Sequence, residues 1–140
     1  MGCLASKPSK LSRAPKGAAR SVGHEKWVGR VFVPEKYFRR GATIEDTALR
    51  GTTSEQLADL VALIQDVLAT VEIVETFDRS ALHGQRLTWE NLEMYSVCTY
   101  FVKPLTQPHT CSFVELVATK AQPPTWFVSH AWSTPFAQTL

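Results

Sequence analysis

In the stretch TSEQLADLVALIQDVLATVEIVETF, apolar side chains recur at Leu57, Leu60, Val61, Ile64, Val67, Leu68, Val71 and Val74. Steps of three and four residues place them on one stripe of a helix. Thr52 with Glu55, or Thr53 with Gln56, supplies a capping box ahead of that stripe. The pattern predicts a helix from Ser54 to Thr76. The stripe is broader than an a/d seam, which favours burial on a core over a coiled-coil partner.

Other segments carry shorter signals. KWVGRVFV (Lys26 to Val33) alternates well enough for a strand, closed by Pro34. The glycines and hydroxyls of RRGATIEDTALRGTTS read as loop. LHGQR reads as a turn. Thr88 is placed to cap a helix through WENLEMYSVCTYFV, which Pro104 ends. Ser112 with Glu115 forms another capping box and opens a short helix, SFVELVAT. Gln122 to Pro124 forces extended backbone. TWFVSHAW then reads as a buried strand, and STPF as a helix start with Ser133 or Thr134 as cap and Pro135 near its first position.

Composition adds a division. The chain has 140 residues, of which 44% are hydrophobic, enough for one modest domain and a tail. The first 20 residues hold Lys7, Lys10, Arg13, Lys16 and Arg20 and no acid, a local charge of +5 within a chain whose net charge is +2. The remainder is therefore mildly acidic. A basic tail on an acidic body seeks a polyanion. No aromatic residue stands among these cations before Trp27, which argues against nucleic acid and for an anionic membrane surface. No apolar run is long enough to span a bilayer. A charged, proline-containing opening also excludes a secretory h-region. This implies cytosolic synthesis and reduced cysteines.

The opening MGCLASKPSK explains the tail. M-G-x-x-x-[ST] is the N-myristoylation pattern, with Gly2 as acceptor and Ser6 in the last place. Cys3 stands beside it for palmitoylation. One myristoyl chain holds a protein only reversibly, so a second chain or a basic patch is needed for stable residence. This opening resembles the dual-acylation segments of Src-type kinases and calcineurin-B-like proteins.

The carboxy-terminal half carries a second likeness. Met94 and Tyr95, Cys111 to Leu116, Gln122 to Pro124, and Phe127 to Trp132 resemble a pattern found in a family of algal and protist proteins. In that family an FVSHxW strand opens an α/β domain similar to Toll/interleukin-1-receptor (TIR-like) domains. Ser133 departs from the family's usual glycine and Ala131 from its frequent tryptophan. The resemblance implies an α/β chain, mostly helical here, ending in the first strand of a truncated TIR-like (flavodoxin-like) domain. The implied division is a disordered basic acylated tail over 1–24, a mainly helical region over 25–120, and the start of the TIR-like domain over 121–140. NAD cleavage in TIR-like domains rests on a glutamate later in the fold, to which no residue here corresponds.

Few side chains offer chemistry of their own. Ser129 and His130 fall at the end of the expected strand, the edge where open α/β sheets bind ligands. Adjacent strand positions point to opposite faces, so they make a poor nucleophile and base. Cys98, His109, Cys111 and His130 lack paired metal-ligand spacing, and no metal or cofactor is expected. Cys111, beside the cap at Ser112, is a candidate for a lowered thiol pKa. The sequence therefore predicts a lipid-anchored signalling or scaffold protein on the cytoplasmic face of a membrane, the plasma membrane first. Its protein partner is unspecified, and catalysis on this chain is not expected. Two alternatives are the targeting region of a TIR-like NAD- or nucleotide-cleaving enzyme, and a small helical protein docking a partner groove.

Overall fold

The computed structural model describes Trp27 and residues 30–126 and 131–140. Among these residues the protein is mostly helical and has no strand, only isolated bridges. Helix α1, Ser54–Thr70, is the longest element. The Thr53–Gln56 capping box forms: the Gln56 amide donates to Thr53 Oγ1 at 3.2 Å, and the Thr53 amide donates to Gln56 Oε1 at 3.0 Å. Leu60, Leu63, Ile64, Val67 and Leu68 are its buried residues.

α1 stops six residues short of the predicted Thr76, at Val71, whose φ of −124° and ψ of 131° are extended. From here the burial period changes from helical to two. Val71, Ile73 and Glu75 are buried, while Glu72 and Thr76 are exposed. The β-branched Val71, Ile73 and Val74 favour extended backbone. This segment lies antiparallel to 84–87. The Glu75 amide donates to the Gln85 carbonyl at 2.9 Å, and the Leu87 amide to the Ile73 carbonyl at 2.8 Å. The connecting turn closes at Gly84, whose φ of +77° suits glycine.

The second helical region begins at Met94, not near Thr88. Asn91 Oδ1 accepts from the Thr88 amide at 2.7 Å and Asn91 Nδ2 donates to the Arg86 carbonyl, which ties 86–91 into a turn. Helix α2, Met94–Val97, passes through a π turn, Cys98–Val102, into α3, Lys103–Thr106. Pro104 therefore does not end the run. The Lys103 amide reaches back five residues to the Cys98 carbonyl. Proline has no N–H to offer the Tyr100 carbonyl one turn earlier. The indole Nε1 of Trp27 donates to that carbonyl instead, at 3.2 Å. A 3₁₀ turn, Gln107–His109, and helix α4, Phe113–Val117, follow. The predicted Ser112–Glu115 capping box opens α4.

Trp27, Ile64, Val67, Leu92 and Phe101 are fully buried and form the centre of the core, between α1 and the 94–106 run. The Trp27 carbonyl accepts from the amides of Arg30 and Val31, so Trp27 and Arg30 of the expected Lys26–Val33 strand lie in a turn, and none of its described residues is in a strand. Thr125 and Trp126 are not in a strand; 127–130, the rest of the predicted C-terminal strand before Ala131, lie outside the described residues. STPF leads into a 3₁₀ turn, Phe136–Gln138, with Pro135 at its cap position and no side-chain cap from Ser133 or Thr134. Phe136 reaches the core, and its ring meets Trp89 edge-on at 5.9 Å.

Candidate functional site

Two buried carboxylates organise the polar groups of this fold. Glu115, 3% exposed, serves as the N3 partner of the α4 capping box. Its Oε1 accepts from the Ile44 amide at 3.1 Å and from Arg40. Its Oε2 accepts from the Ser112 amide at 3.1 Å and hydroxyl at 3.0 Å, with Arg50 Nη1 at 3.5 Å. Hydrogen bonds from the Ser112 and Ile44 amides outweigh burial, and Arg40 and the Ser112 hydroxyl add to them. Together they hold the carboxyl at about 2. The two arginines compensate the charge, so Glu115 acts as a clamp joining 40–50 to α4.

Glu75 is also 3% exposed, but its partners are neutral. The extended 71–76 segment directs it inward at the third position of the period-two pattern. Its Oε1 accepts from the Tyr100 hydroxyl at 2.7 Å and the Phe77 amide at 2.9 Å, and its Oε2 from the Ser96 hydroxyl at 2.7 Å. The Tyr100 hydroxyl in turn accepts from the Thr76 amide at 2.8 Å. Burial raises the Glu75 carboxyl, but the bonds from Ser96, Phe77, Tyr100 and Thr76 overcome it and leave it below the ordinary range. Glu93, the residue before α2, is raised, first by burial and then by the charge of Glu75. The neighbouring carboxylates thus shift in opposite directions, an arrangement frequent at functional sites.

A cleft of about 520 Å³ adjoins Glu115, lined by its clamp partners and by Thr106, Gln107 and Cys111. Another, of about 570 Å³, opens over Glu75 and is bounded by Phe77, Arg79, Glu93, Tyr95, Lys103 and Ser133. The second is the candidate site, because its charged groups are not spent on one another. Among the described residues, the ion pairs are Lys36–Asp59, Arg40–Glu115, Arg50–Glu115 and a His83–Asp78 contact.

Of the residues singled out in the sequence, Tyr95 and Ser133 line this cleft, while none of those read there as lipidation, membrane-binding or ligand-edge positions does so among the described residues. Gly2, Cys3, Lys7, Lys10, Arg13, Lys16 and Arg20, and likewise Ser129 and His130, lie outside the described residues. Cys111 corrects an expectation: burial pushes its thiol up, and Arg40 lowers it less than burial raises it. No three His, Cys, Asp or Glu side chains among the described residues gather as a metal site. Glu75, Glu93, Ser96 and Tyr100 escaped the sequence reading. One signal for Glu75 was present, an acid in register with Val71 and Ile73 in VEIVET. The other three carried none. Comparisons with protein-family models, curated proteins and solved structures find no match to the chain.

Proposed function

We propose that this chain is a lipid-anchored protein of the cytoplasmic face of a membrane, the plasma membrane first, and that it acts in signalling or scaffolding. The observation that carries the proposal is the opening MGCLASK, which puts a myristoyl acceptor, a palmitoyl acceptor and the first of five cations within seven residues. Each cation adds up to about 1 kcal/mol of attraction to an anionic leaflet. The segment next to the tail supports the same reading. Phe32 is 83% and Phe38 52% exposed, and Arg30 and Arg39 beside them are exposed too. Exposed aromatics beside cations suit the headgroup–acyl boundary. Among the described residues no helix is long and apolar enough to cross a membrane.

FVSHAW supports a finer reading, in which 121–140 opens a TIR-like α/β unit that engages a protein partner. The anchor is tested by membrane flotation of the full chain from eukaryotic cells. The parent floats, and Gly2→Ala is soluble, since both acylations depend on that amine. Flotation of Gly2→Ala overturns the proposal. In a Cys3→Ser background, held by one chain, Phe32→Ser with Phe38→Ser reduces the floated fraction several-fold if the exposed rings enter the interface.

A further inference from the structure

The cleft over Glu75 combines two carboxylates, two cations and two half-exposed aromatic rings. Glu75 is buried on neutral donors alone, so its hydrogen bonds are satisfied while its charge is not. Glu93 beside it adds a second acid that feels the first. Arg79 and Lys103 line the same cleft, yet neither pairs with Glu75 or Glu93. A simple cation entering here meets two cations, and a simple anion meets two carboxylates. A molecule carrying both signs meets a complement for each. The size, about 570 Å³, is that of a small-molecule site. Phe77 and Tyr95 offer ring faces of the kind that attract ammonium groups. The Tyr95 ring is braced by Trp132, with centroids 5.2 Å apart.

We propose that this cleft binds a small zwitterion, its ammonium group received by Glu93 in the field of the Glu75 charge and against the Tyr95 ring, and its phosphate or carboxylate by Arg79 and Lys103. The site is independent of the membrane reading above, since every group in it lies in the folded body. Two sources supply this chemistry, a free metabolite and a phospholipid headgroup.

Calorimetric titration of the full unacylated chain tests it, with phosphoethanolamine, ethanolamine and inorganic phosphate as probes. Phosphoethanolamine binds at least about tenfold tighter than either half, a difference of about 1.4 kcal/mol. Glu93→Gln weakens phosphoethanolamine about tenfold and does not weaken phosphate, and Lys103→Met weakens it similarly and does not weaken ethanolamine. Lys103 is exposed, so its variant keeps the fold and keeps the test decisive. The proposal is overturned if phosphoethanolamine shows no saturable binding up to about 10 mM, a very weak affinity, or if Lys103→Met binds it as the parent does. The sources separate on vesicles of phosphatidylglycerol with and without phosphatidylethanolamine. Added binding to the mixed vesicles, competed by phosphoethanolamine, identifies the headgroup; binding of the soluble zwitterion alone identifies a metabolite.

Discussion

Glu115 and Glu75 are the same residue type at equal burial, and their neighbours give them different work. Glu115 meets two arginines, two amides and a hydroxyl, and becomes a fastener. Glu75 meets two hydroxyls and an amide, and keeps a negative charge over a cleft. The depressed carboxyl of Glu115 has a consequence for acid stability. Its folded value of about 2 lies below the ordinary 4.5, so the folded state binds this proton less readily than the unfolded state. That stabilisation is complete above pH 4.5 and is lost as pH falls toward 2. Urea midpoints of the parent and Glu115→Gln, measured across this window, should converge as the pH drops. A constant gap between them would show that the clamp's protonation does not contribute. Glu75 titrates in the same direction, so the difference between the two proteins is the diagnostic quantity, not the parent's curve.

Between residues and the whole lie two element boundaries that the chain sets against simple rules. α1 ends where β-branched residues take over at Val71, although apolar positions continue beyond it. The 94–106 run continues through Pro104 because two adjustments remove the usual cost of proline. A π turn spreads the backbone, and Trp27 satisfies the carbonyl that proline leaves free. Trp27→Phe should therefore cost about 1–3 kcal/mol from the lost hydrogen bond to the Tyr100 carbonyl, beyond any lost packing. In a Pro104→Ala background the new amide lies one turn after that carbonyl, and the same substitution should cost at least about 1 kcal/mol less. Denaturant unfolding of the four proteins measures the coupling. Equal costs in both backgrounds would mean that the indole bond is not what accommodates the proline.

At the level of the molecule, segments distant in sequence close on one another through single residues. Gln122 donates to the Gly51 carbonyl at 2.6 Å and accepts from Gln56 at 2.9 Å, which joins the region after α4 to the start of α1. Gly51 allows the approach, since a Cβ there would stand 2.7 Å from the Gln122 carbonyl oxygen. Further on, the Phe136 amide donates to the Leu92 carbonyl at 2.6 Å, and its ring is 3% exposed. Phe136→Ala should lower global stability by about 3 kcal/mol, the cost of an aromatic-sized cavity in a core. Calorimetric and fluorescence transitions should move together. A variant that unfolds at the parent's temperature would show that 131–140 contributes nothing to the cooperative unit. Gly51→Ala should also destabilise, since the backbone of Gln122 must shift to admit the methyl group.

What the sequence determined by itself is what nearest neighbours decide. The α1 stripe as far as Leu68, the Thr53–Gln56 box and the Ser112–Glu115 box are interactions among residues three or four apart, and they form where the pattern places them. The proposed acylation motif is equally local, a pattern of six consecutive residues. The tertiary structure decided everything that required distant residues to meet. Pro104 was readable as a helix end until Trp27, 73 residues from Tyr100, supplied a donor to its carbonyl. Glu75 fell inside the expected helix, and only the extended backbone after Val71 turned it inward, with Ser96 and Tyr100 each 2.7 Å from its carboxylate. A hydrogen bond or an uncompensated charge depends on which groups surround it in space, and hydrophobic periodicity carries no record of them. That is why the capped starts of α1 and α4 were legible in the chain and the cleft was not.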